Sequence, residues 1–152
     1  LATIDHTSFC RANGGFGDGD AAPALLPATP DTPADTTVNL PTLPSAALLY
    51  RLNGDRNPIH ASPKAAKIAG FDRPILHGLC TYGMAARAVL RQYCGNDPSK
   101  LGSLALRFSA PFYPGETLSV ELWRRGANVH FRALAAERGQ VVLTHGLAAI
   151  HD

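Results

Sequence analysis

Residues 78–93 read Gly78-Leu79-Cys80-Thr81-Tyr82-Gly83-Met84-Ala85-Ala86-Arg87-Ala88-Val89-Leu90-Arg91-Gln92-Tyr93. Leu79, Tyr82, Ala86, Val89, Leu90 and Tyr93 recur at three- and four-residue steps, the period of one helix face. The spacing predicts a helix from Gly78 to Tyr93, closed by Cys94-Gly95. Gly78, Gly83, Ala85, Ala86 and Ala88 are small, so another layer can approach this helix closely. The chain that follows supplies such a layer. Leu104, Leu106 and Phe108 alternate within 103–109, as do Leu118, Val120 and Leu122, and then Val129, Phe131, Ala133 and Ala135. Residues 141–150 read as a last strand. Pro111 to Gly115 makes a bend, and Gly126-Ala127-Asn128 and Arg138-Gly139-Gln140 sit where hairpin turns belong. One central helix followed by a three- or four-strand antiparallel meander is an α+β chain with the helix against one sheet face.

Upstream of the helix the signals are shorter. Ser45 is placed to cap a helix through Ala46, Ala47, Leu48, Leu49 and Tyr50. Ser62-Pro63 opens a second, through Ala65, Ala66, Ile68 and Ala69, that stops at Gly70. Between them Asn53-Gly54-Asp55 and Asn57-Pro58 are turn signals. Residues 23–44 read as extended, Pro-rich connector, and Asn13-Gly14-Gly15-Phe16-Gly17-Asp18-Gly19 as a loop. No internal repeat is evident.

Composition sets the outer limits. The 152 residues are 45% hydrophobic and 17% charged, enough for one core and not the composition of a disordered chain. The net charge of +2 is too mild to imply a nucleic-acid surface. It is unevenly spread: residues 1–44 hold five acids (Asp5, Asp18, Asp20, Asp31, Asp35) against Arg11 alone, and six of the 12 prolines. Cys10, Cys80 and Cys94 form no disulfide framework or zinc spacing, so a reduced compartment fits. No apolar run reaches the roughly 18 residues of a membrane span, and no signal peptide opens the chain.

The densest polar cluster is Tyr50-Arg51-Leu52-Asn53-Gly54-Asp55-Arg56-Asn57-Pro58-Ile59-His60. It sets a carboxylate and an imidazole in one loop stiffened by Pro58, a common means of activating water near neutral pH. Standing alone, Asp55 and Asn57 are equally the residues a surface turn requires. The second cluster is Pro74-Ile75-Leu76-His77-Gly78-Leu79. Here glycine opens the central helix, whose first N–H groups have no internal partner and carry partial positive charge. A carbonyl gaining negative charge would be stabilised there, although an ordinary helix start reads the same way. His77 reads as orienting its loop, and His6, His130, His145 and His151 as structural or surface residues. Cys80 reads as a small apolar residue. Arg87, Arg91, Arg124 and Arg125 form a solvated face, or hold a phosphorylated carrier if they converge. No Gly-rich phosphate loop follows a strand, and no metal-ligand spacing is present.

At these two clusters the chain resembles the MaoC-like, R-specific (type 2) enoyl-CoA hydratases of the hot-dog fold. The resemblance rests on residues 50–60 with their Gly-Asp-x-Asn-Pro-x-His string, on Ala69-Gly70-Phe71, on Pro74-Ile75-Leu76-His77-Gly78-Leu79-Cys80-Thr81, and on Pro111-Phe112-Tyr113-Pro114-Gly115-Glu116. It spans about residues 45–150. The resemblance implies that Asp55 and His60 bind and activate one water, that Asn57 holds that water or orients the loop, and that the Gly78 N–H takes the oxyanion. Water then adds across a trans-2-enoyl thioester to give the R-3-hydroxyacyl thioester in fatty acid metabolism. No cofactor or metal is implied; coenzyme A is the substrate's carrier. Asn53 departs from the Ser or Thr common in the family.

The N-terminal part, Ile4-Asp5-His6-Thr7-Ser8-Phe9-Cys10-Arg11 with Gly14-Gly15-Phe16-Gly17, resembles the end of a preceding hot-dog unit in the double-hot-dog members. The implied organisation is 1–20 as last strand and tail of that unit, 21–44 as linker, and 45–152 as catalytic domain. The implied partners are an acyl-CoA substrate and a second hot-dog unit, either a preceding half or another chain in a dimer, with no nucleic acid or membrane. The compartment expected is cytoplasmic, or peroxisomal or mitochondrial in a eukaryote. The alternatives are a dehydratase acting on R-3-hydroxyacyl groups carried by acyl carrier protein, and a non-catalytic subunit that binds acyl thioesters. A thioesterase fits less well, because the central helix lacks its acidic residue.

Overall fold

Residues 2–8, 14–15, 17 and 24–151 are described by a computed structural model of the chain. The element order is β1 (Thr36–Pro41), α1 (Ala46–Tyr50), α2 (Pro63–Ile68), α3 (Gly78–Tyr93), β2 (Leu101–Phe108), β3 (Thr117–Arg125), β4 (Asn128–Ala135) and β5 (Gln140–Ile150). The strands form one antiparallel sheet in the order β1-β3-β4-β5-β2. Helix α3 packs on it against β3 and β2. A long helix laid against a five-stranded antiparallel sheet is the hot-dog arrangement, α+β as expected.

Helix α3 has the bounds its period predicts, but its buried line differs. Thr81, Ala85, Ala88 and Val89 face the sheet, while Leu79 is 67% exposed. Ala85 and Ala88 are fully buried because their short side chains let the helix backbone come closest to the strands. The larger residues are displaced to the flanks. On the sheet side Val129, Phe131, Ala133 and Ala135 are buried as their alternation requires, with Leu118, Val120 and Leu122 beside them.

The sheet itself departs from the sequence reading in two ways. Only β3, β4 and β5 form a meander; β2 pairs with β5 instead of its neighbour in sequence. The long bend between β2 and β3 lets the chain cross to the far side. The fifth strand, β1, comes from within residues 21–44, which read as linker. Thr36-Thr37-Val38-Asn39-Leu40 is β-branched and alternating, and it pairs with β3 from Thr36↔Leu122 to Pro41↔Thr117. Pro41 ends the strand at a sheet edge, where a missing N–H is tolerated.

The stretch just before β1 is also anchored. The Trp123 indole N–H, on a fully buried side chain, donates to the Thr32 and Pro33 carbonyls at 2.9 and 3.0 Å. Asp35 accepts from the Arg124 N–H at 2.7 Å and pairs with Arg125 at 3.1 Å. Arg124 also lies over the Tyr93 ring, 5.7 Å from its centroid. These two arginines are thus committed to the connector and to α3. Residues 2–8 are exposed and adopt no regular structure. The rest of the strand and loop expected over 1–20 falls largely on residues 9–13, 16 and 18–20, outside the described residues. No helix among the described residues is long and apolar enough to cross a membrane.

Candidate active site

Three short elements meet at the N-terminus of α3. The first is the loop after α1. A single 3-10 turn (Arg51–Asn53) ends at Gly54, whose φ of +111° is strained for any residue with a Cβ. That reversal projects Asp55 outward. The Asp55 Oδ1 accepts from the Asn57 N–H at 3.2 Å, so the turn-forming reading of this residue holds locally. A second 3-10 turn, Pro58–His60, follows, capped by Asn57, whose Oδ1 accepts from the Ile59 N–H at 3.2 Å. Asn57 therefore orients the loop with its oxygen.

His60 closes that turn and is 7% exposed. Its Nδ1 lies 2.8 Å from the Ile75 main-chain oxygen. A carbonyl can only accept, so Nδ1 carries the proton and Nε2 keeps a lone pair. His77, the residue before α3, is 1% exposed. Its Nε2–H donates to the Asp55 main-chain oxygen at 3.1 Å. The His77 Nδ1 is buried with no hydrogen-bond partner. A second proton there would be desolvated and unsatisfied, and burial accordingly pushes the His77 pKa below its ordinary value.

The structure brings Asp55, His60 and His77 together: one oxygen or nitrogen of each lies within 4.8 Å of the others. The His60 and His77 rings stack, 3.7 Å between centroids and 22° between planes. Face-to-face contact at this distance makes the two rings one packed unit. Gly78 follows His77 directly, so its unpaired N–H opens α3 at the same place. A Cβ at Gly78 would stand 3.2 and 3.3 Å from two carbons of the Phe108 ring.

Two shallow recesses adjoin the cluster. A largely apolar one of about 260 Å³ is lined by Gly78 with Phe71, Ile75, Leu76, Thr81 and Phe108. The other, of about 240 Å³, is lined by His60 with Ala47, Leu48, Arg73 and Pro74. Neither of the two holds both His60 and Gly78.

Sequence reasoning missed two features of this region. His77 is a central ring of the cluster, beyond a loop-orienting residue, and the Tyr50 ring lies 4.8 Å from it. Glu116, 4% exposed, accepts from Arg138 Nε at 2.5 Å, Arg138 Nη2 at 3.0 Å and the Tyr113 N–H at 2.9 Å, and so braces the bend after β2. A buried carboxylate in a Pro-Gly-Glu bend is the signal that could have found it.

Comparison with known proteins gives the family and the fold. The family model "MaoC like domain" matches residues 26–145. The peroxisomal multifunctional enzyme type 2 of Mus musculus is 43% identical over 139 residues, which is 90% of this chain and 19% of that protein. The enoyl-CoA hydratase ChsH3 of Mycobacterium tuberculosis is 41% identical over 150 residues, 99% of this chain and 52% of that protein. Among solved structures, full-length peroxisomal multifunctional enzyme type 2 from Drosophila melanogaster superposes with a TM-score of 0.84 at 42% identity, over 89% of this chain and 25% of that one. A MaoC-like dehydratase from Phytophthora capsici gives 0.85 at 38% identity, over 93% and 50%. The chain thus spans from a fifth to about half the length of these relatives.

Proposed function

The chain belongs to the MaoC-like domain family, and from that premise we propose that it carries the hydratase centre of an R-specific enoyl-CoA hydratase. The observation that carries the reading is the meeting of the Asp55 carboxylate, the His60 ring and the N-terminus of α3 in one place. Each does a separate part of the reaction. Asp55 and the bare Nε2 of His60 hold one water. The Gly78 N–H receives the thioester oxygen as negative charge builds on it, aided by the helix dipole. The oxygen of the water bonds to C3 of the trans-2-enoyl chain, and one of its protons is delivered to C2. The thioester makes this addition possible because it stabilises the enolate formed at C2. Both parts of the water arrive on one face because one pair of side chains holds it. No cofactor is needed; coenzyme A remains the carrier.

The apolar recess beside Gly78 is suited to the acyl chain. Leu79, 67% exposed, and Phe108, 50% exposed, lie at this end of the fold, and β2 is an edge strand, paired on one side with β5 and open on the other among the described residues. A second hot-dog unit, preceding in the same protein or present as another copy, would cover them and close the site. The peroxisomal names of the mouse and fly relatives support a peroxisomal setting if the source is eukaryotic.

The relative named 3-hydroxyacyl-thioester dehydratase Y, 46% identical over 119 residues, keeps the reverse reaction in play. The deciding experiment follows the absorbance of the conjugated enoyl thioester, using the native protein with enoyl-CoA and with the same acyl group on acyl carrier protein. Hydration of the coenzyme A substrate to the R-3-hydroxyacyl product is expected. Preference for the acyl carrier protein substrate would replace this reading with the dehydratase. Turnover of neither would reduce the chain to a binding subunit. The intact mass of the native protein separates the two sources of the second unit: a chain roughly twice this length or more means a unit in the same protein, and a chain of about this length means another copy.

A further inference from the structure

His77 lies at the centre of the cluster and has no part in the chemistry above. We propose that His77 is the positioning residue of this site: one buried ring that holds the His60 imidazole, the Asp55 loop and the start of α3 in mutual register. The proposal rests on the hydratase reading of Asp55 and His60.

Each of the three attachments is separate. The face of the His77 ring is covered by His60 at 3.7 Å, with the Tyr50 ring 4.8 Å away. Its edge, through Nε2–H, ties the Asp55 main chain at 3.1 Å. That tie spans 22 residues of sequence and reaches the exposed Asp55 end of a loop whose other end is held at Ile75 through His60 and Ile59. The backbone of His77 caps the helix: its carbonyl accepts from the Cys80 and Thr81 N–H groups at 3.1 and 3.2 Å, and Gly78 is its neighbour. A shift of this one residue would therefore move the water-holding pair and the oxyanion donor relative to one another. Misplacement by about 1 Å is enough to cost on the order of 100-fold in rate. The unpartnered, buried Nδ1 disfavours a second proton on the ring that lies against His60.

The alternative is that His77 only fills space. Three variants of the full-length protein separate the two. His77→Phe keeps a flat ring over His60 and loses the N–H donor. His77→Gln keeps an N–H donor and loses the stack. His77→Ala loses both. We expect kcat to fall roughly 10-fold in the first two and roughly 100-fold in the third, with KM for the enoyl thioester within about threefold of wild type. A space-filling residue would be rescued by Phe and not by Gln.

A second readout needs no turnover. Protons above an aromatic ring are shifted upfield in the NMR spectrum. The His60 ring protons are expected upfield in wild type and His77→Phe, and near those of an unstacked histidine in His77→Gln and His77→Ala. Wild-type kcat in a folded His77→Ala would overturn the proposal. So would His60 resonances indifferent to all three substitutions, or failure of all three variants to fold. If wild type hydrates nothing while the His60 resonances still respond, the hydratase reading fails and the ring-on-ring arrangement stands.

Discussion

His60 is fastened to the main-chain oxygen of Ile75 through Nδ1, 2.8 Å away, across 15 residues of sequence. The bond sets the tautomer, so the nitrogen with the free lone pair is Nε2. It also joins the loop that carries Asp55 to the strand-like segment that leads into α3.

The proposed water-holding pair, Asp55 and His60, is tested first. Asp55→Asn is expected to leave the circular dichroism spectrum and melting temperature close to wild type; His60→Gln should keep the spectrum but melt lower, because it loses the ring stacked on His77. Hydration of enoyl-CoA should drop about 10²- to 10⁴-fold, the usual range for loss of a general acid or base. Wild-type-like turnover in either variant would remove the pair from the mechanism.

Gly78→Ala tests the helix start. Its Cβ would meet Phe108 ring carbons at 3.2–3.3 Å. Because Phe108 is half exposed, the ring can turn aside, and a stability loss of about 1 kcal/mol or less is expected. In the proposed site the added methyl would crowd the approach to this N–H, so turnover should fall by at least tenfold. Equal turnover with an unchanged fold would place the oxyanion elsewhere.

The bend after β2 depends on a buried ion pair. Burial disfavours the Glu116 charge, but hydrogen bonds from Arg138 and the Tyr113 N–H, with the charges of Arg138 and Arg73, outweigh it and hold the carboxyl below its ordinary value. Arg138→Met would leave that buried carboxylate with the Tyr113 N–H and the more distant Arg73, 3.8 Å away. A loss of about 3 kcal/mol in urea unfolding is expected, partly recovered in the double variant Arg138→Met with Glu116→Gln. Additive losses in the double variant would show that the two groups do not act as a pair.

Two buried groups contribute to the acid side of the stability curve. The His77 pKa is depressed in the folded state by burial, so the unfolded chain binds the proton more readily. Its contribution is present above the ordinary value of 6.5 and is lost as pH falls from there through the folded value. Glu116, also depressed, contributes above 4.5 and is lost as pH falls further. Urea midpoints measured from pH 8 to pH 3 should decline in two stages. His77→Gln should abolish the upper stage alone; its persistence in that variant would assign it to another histidine.

Trp123→Phe keeps the buried ring and deletes the N–H shared by the Thr32 and Pro33 carbonyls. The expected cost is about 1 kcal/mol, seen locally as faster proteolysis of residues 24–35 while the melting of the sheet changes little. Unchanged cleavage would show that the pairing of Asp35 with Arg125 alone suffices.

Most of the secondary structure was legible because it is set by neighbours in the chain. The period of 78–93, the Ser62-Pro63 start and the alternation of 118–122 and 129–135 are all short-range signals, and each element forms where they place it. The Gly-Asp-x-Asn-Pro-x-His string was legible for the same reason: turn chemistry and reactive side chains lie within one loop. What could not be read depends on partners far away in sequence. Thr36–Pro41 is a weak strand until β3 offers it hydrogen bonds, so it passed for linker. The buried line of α3 was misassigned because the sheet selects the smallest side chains, whereas the helical period follows the largest.

His77 shows the same division inside the site. Its identity, and its place before the helix glycine, are local facts that the sequence alone determines. That its ring lies on His60 and its N–H on the Asp55 carbonyl is decided only when the loop of 54–60 folds back against the start of α3. A main-chain oxygen has no signature in sequence, and ring stacking has no spacing. Both arise from burial in three dimensions, where an unpaired polar group is costly and a flat ring must find a face to cover.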